Sequence, residues 1–223
     1  MQRDAFCALA STTDPPLEEL ALALAAEFEP VDERAVRGQL DVLAEDARPA
    51  VAAAAGDPAA ELEAMSTVLG RRHGFLGDTE AYDDPLNSML PAVLERRRGL
   101  PITLSVLWVA VARRVGVPLV GVGLPGHYVA GRFDGFEGPR LVDPFAGGVR
   151  IDVTELPSHL VRPWGAQETA MRMLNNLVGA YTRRGALGQA IVAAELRLVL
   201  PAVDGADPDR LAIEARALRA QLN

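Results

Sequence analysis

Arg98-Gly99-Leu100-Pro101-Ile102-Thr103-Leu104-Ser105 opens the stretch on which the fold is read, and from it the chain runs through an apolar segment to Gly116. Pro suits the first turn of a helix, where its missing N–H would have had no partner. Ile102, Leu104, Val106, Leu107, Val109 and Val111 leave this helix apolar nearly all round, which places it at the centre of a domain. Gly116 is the expected C-cap and Pro118 blocks continuation. Downstream, 119–124, 128–133, 140–142 and 149–151 read as strands. The turns between them are Pro125-Gly126, Asp134-Gly135 with Glu137-Gly138-Pro139, and Gly147-Gly148. An α+β core follows, a central helix against a small antiparallel sheet.

His127 follows Pro125-Gly126 at a strand start, and Asp143 precedes Pro144 on another strand. If those strands pair, Asp143 can hold one imidazole nitrogen while the other faces the helix start. A structural His–Asp hydrogen bond closing the sheet is the alternative. A helix start facing such a pair is the layout of a nucleophile site, because free N–H groups and the helix dipole stabilise a thiolate there. This helix start carries Thr103 and Ser105 instead. A hydroxyl gains much less from the dipole and needs a base in direct contact. Thr103 is the candidate weak nucleophile and Ser105 sits deeper; both also read as bonding the helix backbone. Cys7, between Phe6 and Ala8, reads as a packed thiol. His73 and His159 lack partners at metal-ligand spacing, and no phosphate loop or dinucleotide fingerprint is present, so no metal or cofactor is expected.

Outward from the core, Asp14-Pro15, Asp32 and Asp57-Pro58 are helix start signals. They precede apolar faces at Leu17, Leu20 and Leu24, at Val36, Leu40 and Leu43, and at Leu62, Met65 and Leu69. Residues 1–74 therefore read as a helical subdomain and 75–166 as the core, together one domain over 1–166. Asp84 reads as the N-cap of one helix over 85–98, with Asn87 and Ser88 in its first turn. Residues 167–223 form a helical tail in which Leu174, Leu177, Tyr181, Gly185, Ala190 and Ala194 have tetratricopeptide-like spacing. The formal charge of −8 argues against nucleic acid or an anionic membrane as partner. One cysteine, no leader-like start and no apolar run of membrane-spanning length point to the cytoplasm. Oligomeric state is not legible here.

Four blocks carry a resemblance: 82–88 (Tyr82-Asp83-Asp84-Pro85-Leu86-Asn87-Ser88), 94–105, 121–128 and 142–148. In order and spacing they resemble the SirB-type branch of the transglutaminase-like superfamily. The resemblance implies a papain-like α+β core with N-terminal helices and a tetratricopeptide-like C-terminal hairpin. It matches His127 and Asp143 to the superfamily's catalytic His and Asp, and puts the missing Cys at 101–103. Tyr82, Asn87 and Ser105 are the expected binding residues. Since the branch generally lacks that Cys, peptidase or transglutaminase activity does not carry over. The implied function is a non-catalytic protein that binds a protein or peptide partner, in a regulatory role. The alternative is an unconventional hydrolase or acyl transferase using His127 and Asp143 with Thr103, or activating water without a covalent step.

Overall fold

The structure, a computed structural model, describes residues 2–134, 138–201, 203 and 206–222. Four helices come first: α1 (Gln2–Ala10), α2 (Leu17–Ala26), α3 (Glu33–Ala53) and α4 (Pro58–Met65), the last running into a π-helical turn at Ser66–Arg72. Asp32 accepts from the Ala35 amide and Asp57 from those of Ala59 and Ala60, so both start signals act as read. Asp14 does not cap. It has φ 53°, and α2 begins only after Pro16, which lacks a capping side chain.

A two-residue strand β1 (Leu76–Gly77) pairs in parallel with β2 (Arg98–Gly99). Between them the expected single helix over 85–98 is broken in two. Asp84 caps a short 3-10 turn at Pro85–Ser88, and α5 covers only Leu90–Arg96. The physical reason is twofold. The Asn87 carbonyl is taken by the Leu100 amide at 3.0 Å, and Pro91 lies in the first turn of α5, where it can start a helix but not continue one. Arg97, at φ 56°, then ends α5.

The central helix α6 (Pro101–Val115) starts at the Pro and ends at Gly116, which has φ 80°. Its residues 101–108 and 110–112 are all buried, as expected of a helix apolar on every side. Four antiparallel strands follow in the order β3 (Val120–Leu124), β4 (His127–Arg132), β5 (Arg140–Asp143) and β6 (Val149–Ile151). Leu124 faces His127 across the Pro125-Gly126 turn, and Gly126 supplies the positive φ of 71° that such a turn needs. The turn expected over 134–139 lies partly outside the described residues. One face of the sheet (Tyr128, Ala130, Val142) joins the main core with α6. The other (Val122, Leu124, Val129, Leu141) makes a second cluster with Val153 and Val161.

The tail is α7 (Ala166–Arg183), α8 (Leu187–Arg197) and α9 (Pro208–Ala220), with Gly185 at φ 68° turning α7 into α8. Leu174, Leu177, Ala190 and Ala194 are fully buried, and Tyr181 stacks on Phe28 with centroids 5.4 Å apart. Among the described residues, no helix is long and apolar enough to cross a membrane.

Candidate functional site

The pairing of β4 with β5 brings His127 and Asp143 together. Their register, with Ala130 opposite Val142, makes Asp143 the diagonal same-face neighbour of His127. His127 Nε2 lies 2.9 Å from Asp143 Oδ2, with the imidazole about a third exposed. The other carboxylate oxygen, Oδ1, accepts from the Phe145 amide at 2.9 Å and so caps the 3-10 turn Pro144–Ala146. Asp143 is thus held from two sides, which fixes the ring in turn.

Phe145 receives the edge of this arrangement. Its ring centroid is 6.3 Å from that of His127 at 90°, and 6.1 Å from that of Tyr82 at 65°. A Cβ on Gly77 would fall 2.3 Å from the Phe145 ring, so β1 needs a glycine there to let the ring in. Gly147 and Gly148 then turn the chain at φ 71° and 90°, and the Ser66 hydroxyl donates to the Gly148 carbonyl at 2.9 Å. The loop carrying Asp143 is therefore clamped between β1 and the π-helical turn.

Among the described residues, Thr103 is not hydrogen-bonded to the pair. It is fully buried, and its hydroxyl makes no hydrogen bond to any described residue. Ser105, also fully buried, donates to the Pro101 carbonyl at 2.8 Å, one turn back in its own helix. His127 and Asp143 share the register face of Val122, Val129 and Leu141, whereas Tyr128, Ala130 and Val142 form the face packed on α6.

Asn87 is fully buried below the 82–88 loop. Its amide nitrogen donates to Asp78 Oδ2 at 3.1 Å and to the Ala81 carbonyl at 2.7 Å. Asp78 is pulled below the usual carboxylate range, first by the Ala81 amide and then by the Asn87 amide, against the opposing effect of burial. Arg96 ties the same loop down, 3.0 Å from Asp84 and 3.5 Å from Asp78. Tyr82 is exposed at the loop's outer edge. Among the described residues, no group of three or more His, Cys, Asp or Glu gathers that could hold a metal ion.

A second cluster was not legible from motifs. Arg172 of α7 has its guanidinium carbon 5.7 Å from the centroids of both Tyr128 and Trp164, and it donates to the Leu124 carbonyl at 3.1 Å. Tyr128 is in turn fixed by Thr169, oxygen to oxygen 2.7 Å, and its burial raises the phenol well above its ordinary range. Gly123 makes room for this platform, since a Cβ there would sit 2.1 Å from the Trp164 ring. The glycines of Val120-Gly121-Val122-Gly123 were the available signal, alternating as a strand does beside something large.

The sequence profile of the transglutaminase-like superfamily matches residues 34–183. Among curated proteins, the chain is 43% identical over 103 residues to a UPF0162 protein of Xylella fastidiosa, a match covering 46% of this chain and 36% of that one. It is 32% identical over 181 residues to a UPF0162 protein of Pseudomonas aeruginosa, covering 79% and 61%. It is 32% identical over 139 residues to F-box only protein 21 of Homo sapiens, covering 56% and 22%. The chain thus spans less than two thirds of the length of each of these relatives. No solved structure matches it.

Proposed function

The chain belongs to the transglutaminase-like superfamily, and from that premise we propose that it is a non-catalytic member that binds a protein or peptide partner in a regulatory role. The observation that carries this reading is Thr103, fully buried with its hydroxyl bonded to nothing among the described residues. A hydroxyl nucleophile needs a base within about 3 Å to take its proton, and among the described residues the side chain of His127 hydrogen-bonds to Asp143 alone. His–Asp pairing is also not special in this chain. His73 Nε2 lies 2.9 Å from Asp46 Oδ2 among the N-terminal helices, an equivalent bond tying helix to helix. On this reading His127 and Asp143 close the sheet, Asn87 and Ser105 hold the helix start, and exposed Tyr82 faces a partner. The SirB-type branch and a tetratricopeptide-like tail complete the proposal. The tail supplies partner-binding surface, and a single Cys supports action in the reducing cytoplasm.

One observation favours the alternative hydrolase or acyl transferase. The His127–Asp143 bond has good length, and the ring is partly open to solvent. The test is turnover of fluorogenic peptide and ester substrates by the wild type beside His127→Ala and Thr103→Val. The proposal expects all three to be equally inactive. Turnover lost in both variants, with unchanged melting, would establish the alternative.

A further inference from the structure

We propose that the cavity between α7, α8 and α9 binds a peptide through a carboxylate group, held by Arg172 and assisted by Arg210. The inference rests on the partner-binding reading and supplies its site and ligand chemistry. The cavity measures about 630 Å³, room for a few peptide residues, and Arg172 and Arg210 both line it. Its acidic residues are already engaged. Glu168 accepts from Arg162 at 2.6 Å and from the Gly165 amide, Glu214 accepts from Arg197 at 2.8 Å, and Asp207 caps α9.

The two cations are not matched in this way. Arg172 is half-buried against two aromatic rings and donates only to a backbone carbonyl, and Arg210 stands exposed at the start of α9; neither has a carboxylate partner among the described residues. Desolvation pulls the Arg172 guanidinium below its ordinary range, as expected of a cation short of counter-charge. A planar guanidinium fixed on a stacking platform suits the planar fork of a carboxylate.

The rest of the lining suits a peptide. Arg197 donates to Asn175 Oδ1 at 2.9 Å, which fixes that amide so that its NH2 is left to donate. Asn176 lies beside it, and Met171 and Leu211 give an apolar wall. Asn175 and Asn176 also line a smaller cavity of about 130 Å³ that reaches Tyr82 and Leu100 at the start of α6. A bound chain could thus continue from Arg172 towards the helix start.

The test uses the full chain against arrayed random peptides lacking Asp and Glu, each made with a free C-terminal carboxylate and as its carboxamide twin. A third series is amidated but carries one internal Glu. The expected result is carboxylate-bearing peptides, terminal or Glu, bound at least about tenfold tighter than their neutral twins. That preference should vanish in Arg172→Met, fall in Arg210→Glu, and survive in His127→Ala. Equal binding of the twins, binding indifferent to both Arg variants, or no peptide bound in any series would overturn the proposal. So would displacement of the peptide by equimolar inorganic phosphate, which would assign the cations to a phosphate. Arg172 also packs on Tyr128 and Trp164, so melting is measured on each variant, and Arg210→Glu, on an exposed position, decides the matter if Arg172→Met does not fold. The two readings fail differently. Binding that ignores the arginines sinks this site alone, while turnover abolished by His127→Ala sinks the non-catalytic reading whatever the arginines do.

Discussion

At the scale of single residues, the decisive groups are one hydroxyl, one carboxylate and one imidazole. Thr103 keeps a buried Oγ1 without a partner, so its hydroxyl lowers stability. Thr103→Val has nearly the same shape and removes that group. It should leave stability unchanged or raise it by about 1 kcal/mol in urea unfolding. A loss beyond about 1 kcal/mol would mean the hydroxyl has a partner in solution. Asp143 has two tasks, the His127 bond and the cap on Phe145, whereas His127 has one and is part exposed. Asp143→Ala should therefore cost about 2 kcal/mol and His127→Ala about 1 or less, measured the same way. The reverse order would give His127 a role beyond orienting against Asp143. Both members of this pair were legible in the sequence, because a His after a Pro-Gly turn and an Asp before a Pro mark strand ends. The unbonded hydroxyl of Thr103 was not, since its partners depend on how α6 packs among the other elements.

Elements were legible where a local signal governs them. The Asp32 and Asp57 caps, the Pro101 start and the Gly116 stop of α6 all act through groups within a few residues. The readings failed where a distant group competes. The helix expected over 85–98 breaks because Leu100 claims the Asn87 carbonyl, a partner that spacing does not reveal. The Arg172 platform was missed for the same reason, its parts coming from β4, the segment before α7, and α7 itself. Close approach between elements also makes a sharp prediction. A Cβ on Gly148 would lie 2.3 Å from the Trp108 ring, at a φ of 90° that L-residues avoid. Gly148→Ala should therefore lose about 3 kcal/mol or more and loosen the loop bearing Asp143. Hydrogen exchange at 143–149 checks this, and unchanged protection would show that the clamp on the loop is weaker than its geometry.

For the whole molecule, the fold class was readable from order alone: helices, then a buried helix, then short strands, then helices again. Its cohesion depends in part on ion pairs between neighbouring elements, and these give a pH dependence. Arg37 on α3 holds Glu19 of α2 below the usual carboxylate range, and Arg162 does the same for Glu168 at the start of α7. Because these folded-state pKa values are lowered, the stability they supply is complete above the unfolded value. It is lost as pH falls through the folded one. Stability should be level above about pH 5 and decline below it, with Glu168→Gln showing a shallower decline. An acid slope identical in Glu168→Gln and wild type would remove Glu168 from that account. The central claim, that this superfamily member binds without turning over, is tested most directly by one comparison of acyl-transfer and hydrolysis rates in wild type and Thr103→Val. The account predicts indistinguishable background rates in both. A wild-type rate well above background would contradict it, and its disappearance in a folded Thr103→Val would make Thr103 the nucleophile.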